Sequence, residues 1–342
     1  MSEFRLKNRS DTLDCIKGSL ILLVILGHVI QYNSLRNFDD NIVFRIIYSF
    51  HMPTFIMVSG YVYAYTKVNK INIIEFIKKN IYRLIIPFIT WYIIKYFVGG
   101  VYYETKFLEY IFKLIIRPDN GLWFLWIIFL LRNIFFLIDK FNQYIKSENV
   151  LKSELIMLIL VYFLLIIIPG GILGIGLLKK YYIFFLLGYI INKIYYKFNN
   201  IKINKIIYFV NIFIFFMFSI QWYRTKPPLI YDILINKGEF FIGWICIYIY
   251  PLATAILGAI SIYIITKYLI IKSEKFKKVF IYFGKNTLGI YGIHYYFLVL
   301  FSVKNFEICI LINFIVATVI SIISVMLLKR FRITRLFLLG ER

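Results

Sequence analysis

Ten apolar runs, each roughly 18 residues or longer once lone charges are tolerated, fill most of this chain of 342 residues. In hydrocarbon every backbone N–H and C=O must find its partner within the segment, so runs of this kind fold as helices. They lie near residues 16–33, 42–65, 81–99, 121–138, 154–172, 180–196, 205–223, 240–265, 282–302 and 308–328. The sixth is the shortest. "YYIFFLLGYIIN" gives a brief charge-free core, and the flanking Lys179, Lys180, Lys193 and Lys197 can snorkel to let it span. The sequence therefore predicts an all-α, polytopic integral membrane bundle of about ten transmembrane helices. No polar domain, repeat or low-complexity segment separates the runs, so residues 1–342 read as a single integral-membrane domain.

Composition agrees with this reading. The chain is 61% hydrophobic and its mean hydropathy is +0.78, far from the usage of soluble domains. A net charge of +23 invites a nucleic-acid partner, but the lysines are scattered between apolar runs as membrane anchors are, so none is expected. Cys15, Cys246 and Cys309 lie far apart in or beside apolar runs. They form neither a disulfide framework nor a metal spacing, and no metal is expected. The polar, basic "MSEFRLKNRSDTLD" has no small-residue cleavage site after the run that follows it, which reads as a retained first span. Ten spans put both termini on one side. With the N-terminus inside, inner segments hold 25 of the 40 Lys and Arg against 10 in the outer loops, so both termini are expected in the cytoplasm of a cell-membrane protein.

Buried ionisable groups mark candidate chemistry, because they cost free energy in hydrocarbon. His28 falls roughly 18 Å from the cytoplasmic start of the first span, His51 roughly 13 Å into the second from outside, and His294 roughly 18 Å into the ninth. All three sit near the middle of a core about 30 Å thick. One such histidine is commonly a hydrogen-bonded packing residue. Here every histidine of the chain shares that depth.

A second group is cationic and lies at cytoplasmic helix ends. Lys17 starts the first span, and "KKNIYRLIIP" places Lys79 and Arg83 four residues apart at the start of the third, on one helical face. Headgroup anchoring accounts for basic residues at such ends. The alternative is a phosphate clamp built from charge-assisted hydrogen bonds. Arg132, about 11 residues into the fourth span, is too deep for simple anchoring and is expected to face protein or an aqueous cavity. Asp14 stands three residues before Lys17 and can fix its side chain. Acyl coenzyme A suits both groups, with a phosphorylated head for the cations and a thin arm ending in a thioester for a midplane imidazole.

Five stretches carry a resemblance. "RSDTLDCIKGSLILLVILGH" holds a basic residue and, eleven positions on, a histidine: Lys17 and His28. "IYSFHMPTFIMVSGYVY" contains Phe50, His51, Met52 and Pro53, then Ser59 and Gly60. "RLIIPFITW" runs from Arg83 to Pro87 and beyond, "GLWFLWIIF" holds Trp123, and "GKNTLGIYGIH" spans Asn286 to His294. In this order, from about residue 9 to 296, they resemble the motifs of the membrane acyltransferase-3 family. One departure is that many members carry Arg-x-x-Arg at the third-helix start, where Asn80 fills the first position here and Lys79 stands beside it.

The resemblance implies a transferase moving an acyl group, acetyl by default, from cytoplasmic acyl-CoA to a hydroxyl of an extracytoplasmic or lipid-linked surface-polysaccharide sugar. His28 is then the general base that makes the sugar hydroxyl a competent nucleophile. His51 orients the donor or relays a proton, and the adjacent Pro53 is expected to disturb its helix. Lys17, Lys79, Arg83 and Arg132 hold the donor's phosphates. Asp14, Ser59, Trp123, Asn286 and His294 complete the pocket, although a tryptophan near a helix end also serves as an interfacial anchor. The alternative class is a polysaccharide or lipid-linked-sugar flippase. Transporters commonly show matching broken segments in two halves. Here the chemical residues concentrate in the first three helices with no counterpart half.

Overall fold

The computed structural model describes residues 2–34, 37–66, 68–99, 101–118, 122–145, 149–198 and 204–341, and side chains of the first helix from Asp11 onward. Gly121, at the head of the fourth expected span, lies outside the described residues. In chain order the helices are α1 (Ser2–Asn33), α2 (Ile42–Tyr63), α3 (Ile73–Val98), α4 (Phe107–Ile116), α5 (Trp123–Ile145), α6 (Val150–Ile167) and α7 (Ile175–Phe198). They continue as α8 (Lys205–Ile220), α9 (Leu229–Asn236), α10 (Phe240–Lys272), α11 (Glu274–Lys285), α12 (Thr287–Ile293), α13 (Phe306–Leu328) and α14 (Arg332–Leu339). No strand occurs among the described residues.

Seven of these stretches are long and apolar enough to cross a membrane: Asp11–Asn33 of α1, then α2, α3, α6, Ile175–Ile194 of α7, α10 and α13. This is a polytopic helical membrane bundle. The three remaining expected spans differ, each for a local reason. α5 carries Arg132, Asp139 and Lys140 within its 23 residues, and α8 has 16 residues. The ninth, 282–302, is not a single helix, which corrects the sequence reading. α11 stops at Lys285, α12 has 7 residues, and a 3-10 turn follows over His294–Phe297. Gly284, Gly289 and Gly292 weaken helix formation there. The Asn286 amide donates to the Tyr282 carbonyl at 2.7 Å and competes with the backbone ladder.

The third span also begins earlier than expected. Asn72 caps it by accepting from the Ile74 N–H at 3.0 Å, and residues Ile81–Ile85 wind as a π-helical turn. α2 stays helical through Pro53, despite the missing N–H toward the Ser49 carbonyl.

The chain divides into two compact units, Met1–Phe55 with Phe198–Val325 and Ile56–Lys197 with Met326–Arg342, the division falling within α2. In the first unit α1 lies backbone to backbone along α11. A Cβ on Gly18 would stand 2.1 Å from the Phe280 carbonyl oxygen, and one on Gly284 would stand 1.8 Å from that of Asp14. Asp11 pairs with Lys277 at 3.0 Å across this seam and raises the lysine's pKa above its ordinary value through that hydrogen bond. The first part of α2 packs Phe50 against Phe215 of α8, with ring centroids 5.2 Å apart.

The second unit is built on aromatic side chains. Phe76 of α3 stacks on Phe136 of α5 at 3.8 Å, and Phe135 meets Phe185 of α7 at 4.7 Å. Tyr63 donates to Asp139 at 2.6 Å, so the buried carboxylate has a partner. α14 returns to α3, where Trp91 Nε1 donates to the Leu338 carbonyl at 2.9 Å.

Candidate functional site

The first unit gathers the chain's three histidines. α1 presents His28, α2 presents Tyr48 and His51 one turn apart, and His294 opens the turn after α12. The ring centroids of His28 and His294 are 5.4 Å apart. Tyr48 links them to His51, its ring 6.1 Å from His28 and 4.7 Å from His51. Phe44 stacks on Tyr48 at 3.9 Å and holds that ring flat. The imidazoles of His51 and His294 are buried and His28 is part-exposed.

Local backbone contacts fix two of these rings. His51 Nδ1 lies 2.7 Å from the Ile47 carbonyl oxygen and His294 Nδ1 lies 3.0 Å from that of Ile290. A carbonyl only accepts, so each Nδ1 carries the hydrogen and, in a neutral ring, each Nε2 carries a lone pair. The Nε2 of His294 is buried with no hydrogen-bond partner among the described residues.

A polar chain leads from His28 toward the loop before α9. The Tyr48 hydroxyl is 3.1 Å from His28 Nδ1 and donates to Gln31 Oε1 at 2.8 Å. Arg224 Nη1 donates to the same oxygen at 3.3 Å, and its guanidinium lies 5.3 Å from the Tyr48 ring centre. Asp39 anchors that loop. Its fully buried carboxylate accepts the backbone N–H of Arg224 at 3.1 Å, the N–H of Thr225 at 2.8 Å and the Thr225 hydroxyl. Nearby, the Tyr32 and Tyr295 hydroxyls bond at 2.8 Å on an exposed edge.

The remaining expected residues of this unit lie elsewhere in it. Lys17 pairs with Asp14 at 2.6 Å, the contact expected from their spacing. It stands three helical turns from His28, about 16 Å along α1, so the two do not touch. Asn286 sits at the break between α11 and α12, its Oδ1 buried without a partner among the described residues.

The second unit holds the expected arginines. Arg132 Nε donates to Asn80 Oδ1 at 3.0 Å, and its guanidinium lies 5.7 Å from the Phe76 ring centre and 5.9 Å from that of Tyr63. Asn80 thus serves as the acceptor that orients Arg132. Arg83 falls in the π-helical turn and Lys79 just before it. Both side chains are exposed and make no hydrogen bond or ion pair among the described residues. Trp123 stacks on Tyr181 at 5.0 Å at the start of α5, and Ser59 precedes Gly60, which packs on the Phe185 backbone.

Sequence reasoning missed Tyr48, Gln31, Arg224 and Asp39. The available signal was spacing: Gln31 follows His28 by three and Tyr48 precedes His51 by three, one helical face in each case. Tyr48 is one of 29 tyrosines, and nothing in sequence joins it to α1.

The fold places this chain among polytopic helical membrane proteins. Residues 11–330 match the family described as an acyltransferase domain, and the chain belongs to the acyltransferase-3 family. It is 31% identical over 197 residues to the nodulation protein NolL of Sinorhizobium fredii (strain NBRC 101917 / NGR234), covering 54% of this chain and 49% of that protein. It is 28% identical over 141 residues to NolL of Mesorhizobium japonicum (strain LMG 29417 / CECT 9101 / MAFF 303099), covering 40% and 38%. The chain thus spans about half the length, or less, of these curated relatives. No solved structure matches it.

Proposed function

We propose that this protein is a membrane O-acyltransferase that moves an acyl group, most simply acetyl, from cytoplasmic acyl-CoA to a hydroxyl of a surface-glycan or lipid-linked sugar. The observation that carries the mechanism is the convergence of His28 and His294 in one unit, with centroids 5.4 Å apart. Membership of the acyltransferase-3 family supports the reaction class. In the proposed step His28 Nε2 takes the proton of the acceptor hydroxyl as its oxygen attacks the thioester carbonyl. The tetrahedral adduct then collapses, the C–S bond breaks, and the coenzyme A thiolate leaves and recovers the proton from the imidazolium. Within the second unit, Arg83, Arg132 and Lys79 supply cations for the donor's phosphates. Both termini face the cytoplasm of the cell membrane in this scheme, which the inner excess of lysine and arginine supports.

The test uses membranes carrying wild-type protein or His28→Ala, labelled acetyl-CoA, and the glycan fraction of the same cells. Loss of a general base lowers rate by about 10²–10⁴-fold. Near-normal transfer by His28→Ala at wild-type abundance would show the imidazole to be structural.

A further inference from the structure

We infer that Tyr48 and Gln31 are positioning residues that lock His28 in the tautomer carrying its proton on Nδ1, leaving Nε2 as the free base. The inference rests on the reading of His28 as the base and adds the means by which that nitrogen is kept available.

It follows from counting hydrogens. An arginine can only donate, so the Gln31 side-chain atom 3.3 Å from Arg224 Nη1 is an acceptor, the amide oxygen. The Tyr48 hydroxyl, 2.8 Å from that same oxygen, must spend its single hydrogen there. What it turns toward His28 Nδ1, 3.1 Å away, is therefore a lone pair. Two lone pairs do not bond, so Nδ1 supplies the hydrogen. In a neutral imidazole Nε2 is then unprotonated. Each link in the chain dictates the next: Arg224 fixes the amide, the amide fixes the hydroxyl, and the hydroxyl fixes the tautomer. Asp39 completes it by holding the Arg224 and Thr225 backbone in place. His51 and His294 reach the same tautomer through their own helical carbonyls, whereas His28 Nδ1 meets the side chain of Tyr48. His28 thus depends on side chains for what the other two draw from backbone.

The chain gives an unusual expectation. Gln31→Leu leaves Tyr48 in place but frees its hydrogen, which then turns to His28 Nδ1 and inverts the tautomer. This variant should be worse than Tyr48→Phe, which merely removes the constraint.

The experiment is nitrogen-15 NMR of histidine-labelled full-length protein in detergent or bilayer, paired with the transfer assay. Three histidines give three ring signatures, and His28→Gln identifies the one in question. Wild type is expected to show a protonated Nδ1 and a bare Nε2 at His28. Tyr48→Phe should give a tautomer mixture with reduced transfer. Gln31→Leu should give protonated Nε2 and a transfer loss on the order of 10²–10⁴-fold, the range for losing the base itself. Gln31→Glu keeps an acceptor for both donors, and should restore the wild-type tautomer and recover most of the rate lost in Gln31→Leu. A wild-type His28 protonated on Nε2, or a Gln31→Leu spectrum unchanged from wild type, overturns the inference. Tautomers that behave as described while transfer stays intact in every variant overturn the base reading instead.

Discussion

The rings of His28 and His294 face each other at 5.4 Å with their planes tilted by 31°, yet only His28 is part-exposed. His294 therefore carries a buried acceptor, Nε2, that no described residue satisfies. An unsatisfied buried polar atom costs about 1–3 kcal/mol. His294→Phe removes the orphan and preserves much of the ring's bulk. Its melting temperature in detergent should equal or exceed that of wild type, while acyl transfer falls at least about tenfold. Lower stability with unchanged transfer would assign the ring to packing.

Arg83 and Lys79 are exposed cations without partners among the described residues, and Arg132 is oriented by Asn80. Coenzyme A titrated into purified protein should bind more weakly to Arg83→Ala and Arg132→Gln, with a smaller loss for Lys79→Ala. Each charge-assisted contact contributes about 1.5–3 kcal/mol, or roughly 10- to 150-fold in Kd. Asn80→Leu should weaken binding in the same direction by releasing Arg132. Unchanged affinity across the set would remove the phosphates from this surface.

The seam between α1 and α11 leaves no room for a methyl group. Gly284→Ala places carbon 1.8 Å from a backbone oxygen, which cannot rotate aside as a side chain would. Overpacking of this kind costs about 1–3 kcal/mol, and rigid backbone on both sides puts it at the upper end. Gly171→Ala meets nothing within 4 Å and serves as the control. Thermal unfolding of the two variants should separate them by several degrees.

Topology is open to a direct test. Single cysteines at Lys237 and at Ser273, on a background lacking the native thiols, bracket the long helix α10. An impermeant maleimide should label the first in intact cells and the second only after permeabilisation. Labelling of both from outside would require α10 to lie along the membrane and the later helices to be redrawn.

Length and apolarity made most helices legible, because hydrocarbon leaves a chain few alternatives. The ninth segment was less legible. Its hydropathy continues across Asn286, and the break arises from glycines and one competing amide. The histidines stood out because all three fall near the middle of expected spans. Asp14 and Lys17 followed from helical spacing. Tyr48 and Gln31 did not, because their importance lies in a meeting of α1 with α2 that no local pattern encodes. Asp39 was hidden for a related reason: its partners lie 185 and 186 residues away in sequence.

The 33 residues of α10 have a consequence for the surrounding lipid. At about 1.5 Å per residue the helix is about 50 Å long, against a hydrocarbon core near 30 Å. Leaning alone would demand more than about 50°, beyond the observed range of about 0–40°. Part of the rod must therefore stand clear of the acyl chains. Its last turns are suited to that, since Lys267 lies 5.7 Å from the Tyr263 ring centre and Lys272 4.8 Å from that of Tyr268. α6, with 18 residues, is about 27 Å long and has no such excess. One helix tolerates a thick bilayer and the other a thin one, so the lipid chain length of the host membrane is itself a variable to which this protein's conformation answers.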